Sequence, residues 1–184
     1  MMVFSETGFA GLTLIETPSV SDHRGSFTRW FCTKQLAPVL EGRTLAQINH
    51  SRSLQAGTVR GLHFQKAPHA EMKIIRCVRG RVVDVALDIR AGSPTFLKYY
   101  IRELTPDNNL MVAVPEGFAH GYQALEPDSE IVYFNTAFYE PSMEGAVNPN
   151  DPSANVAWPL PVTNLSPRDE STPFLTPDFK GLAL

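Results

Sequence analysis

Three polar clusters fall inside segments that are otherwise apolar and strand-forming. The first is Arg60-Gly61-Leu62-His63-Phe64-Gln65, followed by Lys73; the second is Pro115-Glu116-Gly117-Phe118-Ala119-His120-Gly121; the third is Glu130 with Tyr133. A titratable side chain buried without a partner is costly, so each cluster is either satisfied locally or put to use. Any one of them reads most simply as a satisfied core or rim group, but three in 184 residues favour use. Together they can move protons. A neutral imidazole is the best base near pH 7, with an unperturbed pKa of about 6.5, and His63 is the candidate. A phenol, pKa about 10, still carries its proton there, which makes Tyr133 a candidate acid. Charge developing on a ketone oxygen needs a cation, and Lys73 fits. One base alone tends to return a proton to the face it came from. Two groups of different type on facing walls can invert the carbon.

The same residues carry a rival reading. Pro115-x-Gly117-x-x-His120 resembles the second motif of cupin barrels, in which the histidine holds a metal. The usual first motif, His-x-His with a following Glu, is absent: His63 is followed by Phe64 and Gln65, and Lys73 stands where a carboxylate would be wanted. An ammonium has no lone pair to give and repels a divalent cation. A metal-dependent cupin enzyme using His63, His69, Glu71 and His120 is the alternative; the main reading needs no metal and no cofactor.

The elements that must position these groups are strands. Segments 12–17, 26–31, 44–53, 58–64, 72–79, 81–89, 97–104, 110–114, 118–125 and 130–138 are β-rich with turn signals between them. Ten short strands and little helix predict an all-β jelly roll. In 81–89, Val83, Val85, Leu87 and Ile89 share one face while Asp84 and Asp88 share the other. These aspartates are expected to meet solvent or to pair with Arg76 or Arg79. Gly80 and Pro106-Asp107-Asn108-Asn109 mark reversals. Thr33 to Leu40 fits a short helix capped by Thr33 and limited by Pro38. Prolines crowd the chain after residue 140, and Trp158, Leu165 and Phe174 are the expected anchors of a tail, 140–184, wrapped on the barrel.

The length suits a single domain, 1–184. The net charge of −3 argues against nucleic acid, whose binding draws on basic surface. No apolar run reaches the roughly 20 residues of a membrane span, and the start, MMVFSETGFAGL, lacks the pattern of a signal peptide. Cys77 lies in an apolar run and reads as a buried free thiol, so a cytoplasmic location is expected.

In order along the chain stand Asp22-His23-Arg24-Gly25-x-Phe27, Gln47-Ile48-Asn49-His50-Ser51, Val59-Arg60-Gly61-Leu62-His63-Phe64-Gln65, Asp84-x-x-x-Asp88-Ile89-Arg90-x-x-Ser93-Pro94-Thr95, Pro115-x-Gly117-Phe118-Ala119-His120-Gly121, Glu130-x-x-Tyr133, Asn150-Asp151-Pro152 and Ser166-Pro167-Arg168-Asp169. With these the sequence resembles the dTDP-4-dehydrorhamnose 3,5-epimerase family. The resemblance implies a cupin-type jelly roll (a double-stranded β-helix) and inversion of C3, C5 or both in a nucleotide-linked 4-keto-6-deoxy sugar. It also implies a homodimer that exchanges N-terminal strands. His63 would be the base, assisted by Asp169; Tyr133 would be the acid and Lys73 the enolate's cation. Arg60 and His120 would surround the sugar and phosphates, and Gln47, Asn49 and Arg24 the nucleotide, Arg24 in the partner's site. Glu144 also matches a ligand-contacting position.

Two positions depart from the family pattern. Arg29 stands where a glutamate is usual near the nucleotide, and Arg168 where lysine usually precedes the tail aspartate. The first reverses a charge; the second keeps the charge and changes its hydrogen-bonding geometry. A CDP- or GDP-linked substrate therefore stays open beside dTDP; inversion at C3 alone is a separate alternative within the family. Strand parity adds a puzzle. Arg60 and His63 differ by an odd number and would face opposite ways on an ideal strand. Either Gly61 sits in a bulge, or Arg60 reaches round the strand's end.

Overall fold

The computed structural model describes residues 1–183. Its strands are β1 (Val3–Glu6), β2 (Thr13–Glu16), β3 (Ser19–Asp22), β4 (Gly25–Thr28), β5 (Gln47–Ser53), β6 (Val59–Gln65), β7 (Lys73–Arg79), β8 (Val82–Asp88), β9 (Tyr99–Leu104), β10 (Leu110–Val114), β11 (Phe118–Ala124), β12 (Ser129–Asn135) and β13 (Glu144–Ala146), with helices α1 (Thr33–Leu40) and α2 (Pro167–Ser171). A six-stranded sheet, β1-β2-β10-β7-β12-β5, faces a five-stranded sheet, β13-β6-β11-β8-β9. Strands β3 and β4 form a separate hairpin, and every named pairing is antiparallel. All ten expected strands form. The three others, β1, β3 and β13, are only three or four residues long, too short for an alternating pattern to stand out.

Apolar side chains fill three layers. Between the sheets lie Leu12, Ile75, Cys77, Val82, Ala86, Leu104, Val112, Phe118 and Ile131. Outside the six-stranded sheet, Leu36, Val39 and Leu40 of α1 cover Ile74, Met111, Ala113 and Phe134. Outside the five-stranded sheet, the tail covers Leu62, Phe64, Val85, Leu87 and Ile89. Helix α1 begins one residue after its cap, Cys32, which makes no side-chain capping bond. Thr33 is thus the first helical residue and not the cap. In the tail, Trp158 packs in the outer layer and donates Nε1–H to the Pro149 carbonyl at 2.9 Å. Phe174, expected as an anchor, is 54% exposed, and Leu175, Phe179 and Leu182 take that role instead.

The alternation in β8 holds, but its polarity is reversed. Val85, Leu87 and Ile89 face outward under the tail, which turns Asp84 and Asp88 toward the barrel, along with Val82 and Ala86. Both aspartates are buried, and neither meets solvent, Arg76 or Arg79. Arg76 instead donates to Thr17 Oγ1 and Asn109 Oδ1. The error has a simple physical source. A strand clad on both sides hides which face is the inside, because the tail supplies an apolar cover that the local pattern cannot reveal.

Asp88 accepts from Arg90 Nε (2.9 Å) and Nη2 (2.7 Å), Ser93 Oγ (2.6 Å) and Thr95 Oγ1 (2.6 Å). Burial works to raise its pKa, yet these donors outweigh it and bring the carboxyl down to about 2. A carboxyl whose folded pKa lies below its unfolded value of about 3.9 stabilises the fold above that value. The contribution is lost as pH falls toward 2. Asp88→Asn should cost about 3 kcal/mol at pH 7 and flatten the fall in stability between pH 4 and pH 2, both read by urea unfolding. Equal stability of variant and wild type at pH 7 would show that this cluster does not anchor the turn.

Candidate active site

A cavity of about 210 Å³ opens between the two sheets, lined by Ser51, Arg60, His63, Lys73, His120, Tyr122, Ile131 and Tyr133. Five residues singled out in the sequence thus share one space. Their parity explains the gathering. On the six-stranded sheet, Tyr133 is in register with Asn49 of β5 and Ile75 of β7, so Lys73, Ile75, Ile131 and Tyr133 face inward. Gln47, Asn49, Ser51 and Ser53 form the less exposed face of β5, and Ile48, His50 and Arg52 face out. Glu130 lies on the outer side with His50, Arg52 and Arg79, away from the cavity. On the five-stranded sheet, His63 pairs directly with His120.

Arg60 and His63 reach the same cavity because the strand is bulged. Arg60 pairs with Tyr122 and His63 with His120, so Gly61 and Leu62 together stand opposite Gly121 alone. The extra residue resets the pleat. Gly61 has φ +115°, and a Cβ there would meet His120 O at 2.6 Å and Gly121 Cα at 2.7 Å. Glycine alone meets both demands.

Each cavity histidine is held by a buried aspartate. His63 Nε2 lies 2.6 Å from Asp169 Oδ1, and His120 Nε2 lies 2.7 Å from Asp84 Oδ2. Burial pushes Asp169 up, but the His63 hydrogen bond and charge, Ser166 and the Gly61 N–H together hold it below the ordinary carboxylate range. An ionised carboxylate only accepts. In either form His63 donates Nε2–H to it, and in the neutral form Nδ1 keeps a free lone pair. Asp169 is delivered by α2, which starts on a legible signal. Ser166 caps it by accepting from the Asp169 N–H at 3.0 Å, and Pro167 occupies the first turn. Asp84 is the residue that sequence reasoning missed. Nothing in β8 alone marks it, since its partner His120 is 36 positions away.

Lys73 sits 3.2 Å from Glu71, which also accepts from Asn135 Nδ2 at 2.7 Å. The ammonium is thereby fixed at the cavity wall. Tyr133 has its pKa raised, first by burial, then by Tyr122 and Glu71, against an opposing pull from Arg60. Its phenol stays protonated through neutral pH. At the rim, Glu144 accepts from Arg168 (2.7 Å) and from the Tyr139 hydroxyl (2.6 Å), beside His63. Gln47 accepts from the Tyr139 N–H. Arg24 and Arg29 do not join the cavity of their own chain. Arg24 is exposed on the β3–β4 hairpin and pairs with Asp22, and Arg29 is exposed just beyond it. As for the rival metal reading, no three His, Cys, Asp or Glu among the described residues gather as ligands. Glu71 is committed to Lys73, and each cavity histidine to its own aspartate.

The chain is similar to known proteins in sequence and in fold. The family model described as dTDP-4-dehydrorhamnose 3,5-epimerase matches residues 6–177. The enzyme of that name from Sinorhizobium fredii is 41% identical over 175 residues, covering 95% of this chain and 90% of the relative. A dTDP-4-dehydrorhamnose 3-epimerase from Streptomyces niveus is 36% identical, covering 89% of this chain and 79% of its own. Among solved structures, the Bacillus anthracis dTDP-4-dehydrorhamnose 3,5-epimerase with TDP and PPi bound superposes with a TM-score of 0.91 at 36% identity, covering 95% and 100% of the two chains. The Legionella pneumophila dTDP-6-deoxy-D-glucose-3,5-epimerase in complex with dTDP-4-keto-L-rhamnose gives 0.89 at 35%, covering 95% and 93%.

The bulge can be tested without any substrate. Gly61→Ala forces a side chain into the β11 backbone at a positive φ and should lower stability by about 1–3 kcal/mol, read as a drop in the thermal midpoint. An unchanged midpoint would mean that β6 accommodates the methyl group and that the bulge does not depend on glycine.

Proposed function

The chain belongs to the dTDP-4-dehydrorhamnose 3,5-epimerase family, and from that premise we propose that it inverts C3 and C5 of a dTDP-linked 4-keto-6-deoxy sugar. One observation carries the reading: an imidazole and a phenol, mounted on opposite sheets, line one cavity together with an ammonium. His63, aligned by Asp169, takes the proton from a carbon beside the C4 ketone. The electron pair moves to the ketone oxygen, where the Lys73 ammonium stabilises the charge. Tyr133 gives its proton to the other face of that carbon and recovers one from solvent, while His63 releases the proton it took. The set is complete without a cofactor.

Arg60 and His120 hold the sugar and diphosphate, Gln47 and Asn49 the nucleotide, and Glu144 with Arg168 the cavity mouth. Arg24 and Arg29 serve the cavity of a second copy. Two features support a homodimer built by strand exchange. The β3–β4 hairpin stands apart from both sheets and exposes the cross-strand pair Val20 (71%) and Phe27 (66%), and β5 ends the six-stranded sheet with an open edge. We take the chain as one jelly-roll domain, 1–184, working in the cytoplasm, where its free thiols Cys32 and Cys77 are at home. A second reading, inversion at C3 alone, draws on the Streptomyces niveus relative. CDP- and GDP-linked sugars are the alternatives for the nucleotide, because Arg29 changes the charge near it.

Incubation of dTDP-, CDP- and GDP-linked 4-keto sugars in heavy water, followed by NMR, tests the assignment. The dTDP sugar should take up deuterium at both carbons flanking the ketone, whereas uptake at C3 alone would select the second reading. His63→Ala should abolish exchange, a loss on the order of 10³-fold, with dTDP binding nearly intact. Tyr133→Phe should permit exchange at one carbon or more while slowing net inversion, and full epimerase activity in that variant would remove Tyr133 from the mechanism.

The dimer has its own test. Arg24→Ala and His63→Ala chains, each nearly inactive alone, should regain about one quarter of the wild-type rate when refolded together, because half of the dimers then hold one intact composite site. No recovery would place Arg24 in its own chain's site or outside it.

A further inference from the structure

The mechanism above leaves one buried polar group in the cavity unused. Tyr122, on β11, is 3% exposed, and its hydroxyl lies 3.0 Å from Ser51 Oγ and 3.0 Å from Ser53 Oγ, both on β5 of the opposite sheet. Ser53 Oγ in turn accepts from Arg60 Nε at 3.3 Å. Packing between the sheets needs only the Tyr122 ring. Its oxygen needs a separate account.

Counting donors supplies one. The three hydroxyls own three O–H groups, and the two bonds among them consume two. One O–H is left over, with no other acceptor for it among the described residues. Ser53 is almost fully buried and already accepts from Arg60, so leaving its own hydrogen unpaired would be the costly choice. Ser53 therefore donates to Tyr122. The spare O–H then belongs to Tyr122 or, if Tyr122 donates onward, to Ser51, and both of these residues line the cavity. Arg60, at the far end of the chain, polarises it in that direction.

We infer that Tyr122 is a specificity-determining residue: with Ser51 it presents one directed O–H to an acceptor oxygen of the bound sugar nucleotide. This rests on the substrate reading given above. The oxygen comes from a sugar hydroxyl or from the diphosphate, and the two sources are separable. Calorimetry with dTDP-glucose and with dTDP alone is the test. Tyr122→Phe removes only the oxygen and should weaken dTDP-glucose roughly 5- to 30-fold. Unchanged affinity for dTDP assigns the oxygen to the sugar, and an equal loss assigns it to the diphosphate. Ser51→Ala leaves the Tyr122 O–H in place and should bind nearly as wild type, and the double variant should bind like Tyr122→Phe alone. A merely structural role would lower the thermal midpoint without this pattern. Wild-type affinity of Tyr122→Phe for both ligands, or a loss in Ser51→Ala as large as in Tyr122→Phe, would overturn the inference. Failure of the wild-type chain to bind dTDP or to turn over the dTDP sugar would overturn the substrate reading, and this inference with it.

Discussion

Polar groups inside a jelly roll are tolerable only when each has a partner, and that constraint organises this molecule. The barrel interior holds two histidines, two aspartates, a lysine and two tyrosines beside an apolar layer. Left unpaired, each would carry a desolvation penalty of the order of a whole domain's margin of stability when summed. The solution is pairing, mostly between positions far apart in the chain. His63 finds Asp169, His120 finds Asp84, Lys73 finds Glu71, and Tyr122 finds two serines. Arg60, His63, Lys73, His120, Tyr122 and Tyr133 then line the cavity, where a ligand can meet them.

The two-sheet architecture converts this pairing into chemistry. A ring bound in the cavity would meet groups of one sheet on one side and groups of the other sheet on the opposite side. The outer layers keep that separation fixed. Helix α1 clads one sheet and the proline-rich tail clads the other, so neither wall can relax toward solvent. The tail has a second duty, because α2 carries the aspartate that orients His63. Folding of the last quarter of the chain and alignment of the assigned base are therefore one event.

The bulge at Gly61 shows how a single residue links backbone geometry to the site. Without the extra residue, Arg60 and His63 would point to opposite faces of β6, and only one of them could serve the cavity. The close approach of Gly61 to the β11 backbone leaves no room for a Cβ. A cavity that needs a cation for an anionic ligand and a base for a proton draws both from one strand by this means.

Much of this was legible in the residues alone. Ten strands could be placed because alternation and turn residues are local signals. His63, Lys73, His120, Tyr133 and Arg60 stood out because charged and aromatic polar groups interrupt apolar runs. The parity of Arg60 and His63 even posed the right question, with the bulge as one of two answers. Other matters lay beyond any local pattern. Which face of β8 is the inside depended on a tail some 70 positions later in the chain. The partnership of Asp84 with His120, the delivery of Asp169 by a five-residue helix, and the spare hydroxyl of the Tyr122 chain all join positions far apart in sequence. Local residue type sets what a side chain can do, but only the closed sheets decide what stands within three ångströms of it, and hydrogen bonding and desolvation act at that range.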